Sequence, residues 1–234
     1  MRRTAVALLW AALLPAQSTP GLLARFDREH DLAAKERLLR AITEDPGAGP
    51  ALLRLAKSTA NTETRWMAMR GMATLHYTAA APFLEASLTS PEVYVRANAA
   101  RALGDLKIRE ASTPLLAMFA AEQEPPAIQQ ASLALRMLEV RAAAPLIRER
   151  IPRFPGQTRA WLIQALGALG NRADVPTVAA YLDERGTNIA ATEAIQELAG
   201  VDFGPRPMGL AGDPPPSTLA AQAWWKAHKD EWPH

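Results

Sequence analysis

Val95-Arg96-Ala97-Asn98-Ala99-Ala100-Arg101-Ala102-Leu103-Gly104-Asp105-Leu106 is the stretch from which the fold can be read. Its apolar side chains stand at 95, 99, 102, 103 and 106, the i, i+4, i+7, i+8 spacing of an amphipathic helix. Ser90-Pro91-Glu92 just ahead is a start signal, with Ser90 expected as the N-cap. Beyond it, Ala111-Ser112-Thr113-Pro114-Leu115-Leu116 opens a second helix, because proline suits a first turn whose N–H groups lack intrahelical partners anyway.

Working outward, the same pattern returns at a fixed period. Proline recurs at Pro50, Pro82, Pro114, Pro145 and Pro176, spaced by 32, 32, 31 and 31 residues. Met72, Leu103, Leu135, Leu166 and Ile195 keep the same phase, as do Leu75, Leu106, Leu138, Leu169 and Leu198. Ala68, Ala99, Ala131, Leu162 and Ala191 form a further register of small or apolar residues. Each period resolves into a helix begun at the proline and a partner helix carrying the Val95–Leu106 pattern. Such a pair cannot bury its apolar face alone, so neighbouring units must stack.

The stretch Val95-Arg96 through Leu106, followed by Ala111 to Leu116, resembles the HEAT repeat family. So does Thr158-Arg159-Ala160-Trp161-Leu162-Ile163-Gln164-Ala165-Leu166-Gly167-Ala168-Leu169-Gly170 with Val175-Pro176. The likeness is to the short bacterial kind related to phycobilisome-lyase repeats, and it covers about residues 48–200. It implies an all-α, right-handed α-solenoid of about five two-helix repeats with capping helices at both ends. The third unit departs from the pattern, with Ile128-Gln129 for Val-Arg and Arg136-Met137 for Gly-Asp. Its helix should form with a different surface chemistry.

The flanks complete the expected organisation. Arg2 and Arg3, the apolar run Ala5–Leu14 and the small-residue stretch Pro15-Ala16-Gln17-Ser18 fall in the order of a signal peptide over residues 1–18. Ten apolar residues are too few for a spanning helix, so the mature chain is expected to be exported, periplasmic or secreted, without a membrane anchor. Residues 19–47 read as an N-terminal cap built on one helix over 22–43, with Leu32, Leu38, Leu39 and Ile42 on its apolar face. Residues 48–200 are the array. Residues 201–234 are a Pro/Gly-rich loop and a last helix, capped by Ser217, that carries Trp224 and Trp225.

Composition excludes several chemistries. The net charge of +2 is 26 basic against 24 acidic residues, and Arg2 and Arg3 lie in the leader, so the mature chain balances at 24 against 24. A neutral chain with mixed signs has no field to draw phosphate backbones, which argues against nucleic acid. Cysteine is absent, which removes disulfides, thiolate metal sites and a cysteine nucleophile. His30, His76, His228 and His234 fall on separate elements with no metal-ligand spacing. No Gly-x-Ser-x-Gly or Ser-x-x-Lys occurs, and Gly47-Ala48-Gly49-Pro50 lacks the Lys-Ser/Thr of a phosphate loop. Glu122 and Glu124, beside Pro125-Pro126, read as solvated loop acids. No catalytic residue, cofactor or metal is therefore expected.

What remains is a binding surface. The resemblance implies that the Val-Arg-type helices line a concave side. Two rows three residues apart should face outward there: Met67, Asn98, Gln130 and Trp161, then Arg70, Arg101, Leu133 and Gln164. Aromatic and arginine side chains are enriched at binding hot spots. Arg65, Arg96 and Arg159 share another register and are expected to stitch repeats together. The reading is a non-catalytic scaffold or adaptor for another protein. The alternative that the resemblance implies is a phycobilisome-lyase-like or other ligand-handling enzyme.

Overall fold

The computed structural model describes residues 18–205 and 214–232. The expected leader falls on residues 1–18 and lies almost wholly outside them. The chain divides into two compact units, residues 1–80 and 81–234. Among the described residues all regular structure is helical.

The first unit holds α1 (Thr19–Arg28), α2 (Leu32–Thr43), α3 (Gly49–Ser58) and α4 (Thr62–Thr74). Helices α1 and α2 pack together, as do α3 and α4, and α2 lies on α4. The single helix expected over 22–43 is thus a helical pair, broken at residues 29–31. The break is chemical: the Asp31 side chain accepts the Ala34 N–H at 2.7 Å. Glu29 Oε1 accepts the N–H groups of His30 and Asp31 at 2.8 and 3.0 Å. Acids that capture the free N–H groups of a helix start make a new start. Leu32, placed on the apolar face by spacing, is 48% exposed, while Phe26 fills the core.

The second unit carries four further pairs: α5 (Ala81–Ser87) with α6 (Val93–Asp105), α7 (Ser112–Ala121) with α8 (Pro125–Met137), α9 (Ala144–Arg150) with α10 (Gly156–Leu169), and α11 (Val175–Ala179) with α12 (Asn188–Ala199). The first helix of each pair starts one or two residues ahead of the recurrent proline, Pro82, Pro114, Pro145 or Pro176, which thus lies in its first turn. The second helices stack in succession, α6 on α8, α8 on α10, α10 on α12. Leu103, Leu135, Leu166 and Ile195 are fully buried between them. This is the stacking of an α-solenoid, in which each repeat buries its neighbour's apolar face.

Two kinds of helix end matter. Ser90 is not the cap of α6: Glu92 takes that position, and the Ser90 hydroxyl donates to the Glu92 carboxylate at 2.5 Å. At the other end, His76, Lys107 and Glu139 adopt φ of 51°, 57° and 57°. After each, the next N–H closes onto a carbonyl five residues back: Tyr77 to Met72, Ile108 to Leu103 and Val140 to Leu135. These are Schellman closures built without glycine.

The array ends under α13 (Pro216–His228). Thr192 of α12 and Thr218 of α13 share a buried hydrogen bond of 3.1 Å. Gln222 donates to the Leu182 carbonyl and to Asp183. Ser217, expected as a cap, lies buried in the first turn instead, and Pro215 precedes the helix. Trp224 stacks on His228 with centroids 5.0 Å apart, and Trp232 is buried with the Arg172 guanidinium 4.9 Å from its ring.

Candidate partner-binding face

The second helices of the second unit present the expected rows, and their geometry follows from what each side chain can reach. Asn98 is half-buried and donates to the Tyr94 carbonyl at 2.8 Å. Arg101, one turn on, donates from Nε to both Asp105 oxygens at 2.9 and 2.8 Å, an i, i+4 pair. On α8, Gln130 and Leu133 are half-buried, and Gln130 Oε1 accepts no hydrogen bond from any described residue. On α10, Trp161 is half-buried and Gln164 donates to Glu193 of α12 at 3.3 Å.

In the first unit the expectation fails for one residue. Met67 has no exposed surface. Because residues 19–43 form a packed pair, α4 is covered from α2 as well as α3, and Met67, Ala68 and Met69 are all enclosed. Arg70 is exposed and pairs with Glu36 at 2.5 Å, its guanidinium 5.9 Å from the Trp66 ring.

Of the register arginines, Arg96 and Arg159 stitch repeats, while Arg65 donates to the Thr59 carbonyl at 2.8 Å within its own helical pair. Arg96 bonds both Glu122 oxygens at the end of α7, at 2.7 and 3.0 Å, and the carbonyls of Ser90 and Pro91. Arg159 does the same with Glu184, at 2.7 and 2.6 Å. Glu122, read as a solvated acid, is buried. Burial pushes its carboxyl up, but the Arg96 bonds and the N–H groups of Glu124 and Gln123 outweigh that and hold it below the usual range. Arg150, also buried, donates to the carbonyls of Ala120 and Glu122, its guanidinium near the rings of Phe119 and Phe154.

Residues that the rows missed join Gln164 in a cleft of about 250 Å³ on the same face, lined by Arg136 of α8 and Glu193, Ala194 and Glu197 of α12. Glycine makes room for it. A Cβ on Gly167 would meet the Ala194 Cα at 2.8 Å, and one on Gly104 the Ala134 Cα at 2.8 Å. Glycine thus lets α10 approach α12, and α6 approach α8. The equivalent position on α8 is Arg136, the departure visible in the repeat. A larger cleft, about 440 Å³, runs between α5 and α7 beside Leu88, Pro114 and Met118.

A profile described as HEAT repeats matches residues 49–136. Residues 49–136 are HEAT repeats. No curated protein matches the chain. Among solved structures, the complex of CpcE and CpcF of phycocyanin lyase from Nostoc sp. PCC7120 aligns over 93% of this chain and 97% of that one, at 17% identity and a TM-score of 0.45. Among the described residues, no three His, Cys, Asp or Glu side chains gather to hold a metal ion. No described helix is long and apolar enough to cross a membrane.

Proposed function

We propose that the chain is a non-catalytic protein-binding scaffold, exported from the cytoplasm, that engages its partner through the face of α6, α8 and α10. The observation that carries this is the placement of Leu133 and Trp161. They are large apolar side chains, each only half-buried, on successive packed helices. Gln130 and Gln164 stand one turn from them on the same helices, and Arg101 lies on α6. An apolar and aromatic centre with a polar, arginine-bearing margin is the composition of a protein-recognition patch. Arg96 and Arg159, of similar burial, are instead spent on ion pairs with Glu122 and Glu184.

The test is affinity capture from the source organism's cell-envelope and secreted fractions, with the chain from residue 19 as bait. Leu133→Glu with Trp161→Ala is the comparison. A partner held by the wild type and lost by the double variant supports the reading. A partner retained by the variant moves the site elsewhere. A small molecule carried through purification in place of any protein overturns the scaffold. Export is tested separately by fusing residues 1–25 to a reporter active only outside the cytoplasm; an inactive fusion overturns that part.

A further inference from the structure

The cleft of about 440 Å³ between α5 and α7 is lined by neither row of the partner-binding face. Leu88, Pro114, Ala117 and Met118 make its walls apolar, and Glu85 and Thr89 bring polar groups from the α5 side. Arg96 and Glu122 also line it, but they are closed on each other through two bonds. Arg96 spends further donors on the Ser90 and Pro91 carbonyls. Glu85 has no such partner. Among the described residues its carboxylate makes no hydrogen bond and no ion pair. The lining therefore carries one unmatched charge, and it is negative. The Thr89 hydroxyl donates to the Ala86 carbonyl at 3.1 Å, which leaves its oxygen to accept.

The next repeat shows what this position can hold. Six residues after its repeat proline, near the end of α7, the Ala120 carbonyl accepts a bond from the buried Arg150 guanidinium of α9. Counting the same six from Pro82 gives Leu88, whose carbonyl accepts no hydrogen bond from any described residue. The counterpart of Arg150 on α7 is Phe119, an apolar residue in the core. The joint of α7 with α9 thus supplies its own cation. The joint of α5 with α7 sets an unmatched carboxylate near an unused carbonyl instead.

We propose that this cleft binds a small aliphatic ammonium compound, one cationic head on an unbranched apolar tail. The head pairs with the Glu85 carboxylate, and the tail lies along Pro114, Ala117 and Met118. An anion would meet Glu85 as a like charge. A hard divalent cation takes about six or more oxygen ligands, far beyond one carboxylate. A diamine would set its second charge against Leu88 and Met118, at a desolvation cost. The volume, about 440 Å³, falls in the range of roughly 300–1,000 Å³ that small-molecule sites occupy. The binding does not depend on a protein partner at α6, α8 and α10.

The experiment is titration calorimetry of the purified chain with octylamine at neutral pH. Octanoate, octan-1-ol and 1,8-diaminooctane are the controls, which reverse the charge, remove it or add a second one. Octylamine is expected to bind, and each control to bind at least tenfold more weakly. Hexylamine, shorter by two methylenes, should lose roughly tenfold. Glu85→Gln removes the charge at unchanged size, and Ala117→Trp fills the cleft from an exposed position. Each should weaken octylamine binding tenfold or more while leaving the thermal midpoint in place. No binding of octylamine at millimolar concentration overturns the proposal. So does octan-1-ol binding as tightly, which would make the cleft a plain apolar surface, and so does undiminished binding by Glu85→Gln. An acetylated Leu-Lys amide that binds as tightly as octylamine overturns it too, because the cleft would then read a side chain within a polypeptide.

Discussion

Arg96 and Glu122 meet at two points across neighbouring repeats, Nε to one carboxylate oxygen at 2.7 Å and a second guanidinium nitrogen to the other at 3.0 Å. The same carboxylate accepts the N–H groups of Gln123 and Glu124, each at 3.0 Å. One buried acid thus joins the start of α6 to the turn between α7 and α8. Removing one partner of such a pair strands the other's hydrogen bonds. Glu122→Ala should therefore lower unfolding free energy by about 3 kcal/mol, measured by urea denaturation at pH 7.

The same acid makes stability depend on pH. Its folded value lies below the ordinary 4.5, so its contribution is full above that ordinary value. It is lost as pH falls through the folded one. The deficit of Glu122→Gln against wild type should be constant near neutrality and should shrink on acidification below pH 4.5. A deficit that does not change with pH would mean that the pair is not ionic.

Lys35 gives the opposite sign. Its Nζ is buried between α1, α2 and α4 and donates to the Phe26 carbonyl at 3.0 Å and Thr64 Oγ1 at 2.6 Å. Desolvation lowers its value from 10.5, against the pull of Glu63, Asp27 and Glu29. A lysine whose folded value is depressed penalises the fold while charged, and the penalty is relieved as pH climbs from that value towards 10.5. Wild type should gain stability over Lys35→Met in that alkaline window, as followed by thermal midpoints against pH.

Close approach of second helices rests on single glycines. Gly104→Ala and Gly167→Ala each set a methyl 2.8 Å from a facing Cα, which no rotamer relieves. Each should destabilise by about 1–3 kcal/mol. Gly47→Ala, whose nearest new contact is the Asp45 side chain, should do much less in the same denaturation series.

Glu139 holds φ at 57°, a left-handed conformation that disfavours any Cβ by roughly 1–2 kcal/mol. Among the described residues its side chain reaches only Arg109, at 3.8 Å on the surface. Glu139→Gly should therefore stabilise the protein by about 1 kcal/mol, seen as a raised denaturation midpoint with unchanged slope.

What could be read from sequence was what repeats. Leu103, Leu135, Leu166 and Ile195 share a phase because burial imposes one, and all four are buried. The prolines mark helix starts because a first turn has no use for the N–H that proline lacks. What escaped is carried by partners far apart in the chain. Glu122 reads as a loop acid until Arg96, 26 residues away, is placed beside it. Ser90 has the right chemistry for a cap, but Glu92 stands closer to the first turn. Met67 keeps the phase of Asn98 and Trp161, and its enclosure comes from α2 and α3 both packing on α4. Arg136 was visible as a break in pattern, yet its cleft needs two acids from α12, a helix whose outward residues follow a different pattern.

That break also has a mechanical side. Glycine draws α6 against α8 and α10 against α12, while the joint between α8 and α10 carries an arginine and is the least intimate of the three. Bending strain in the second unit should therefore concentrate at the joint between α8 and α10 before it reaches the two closer joints. Any give at that joint would change the spacing of Leu133, on α8, and Trp161, on α10.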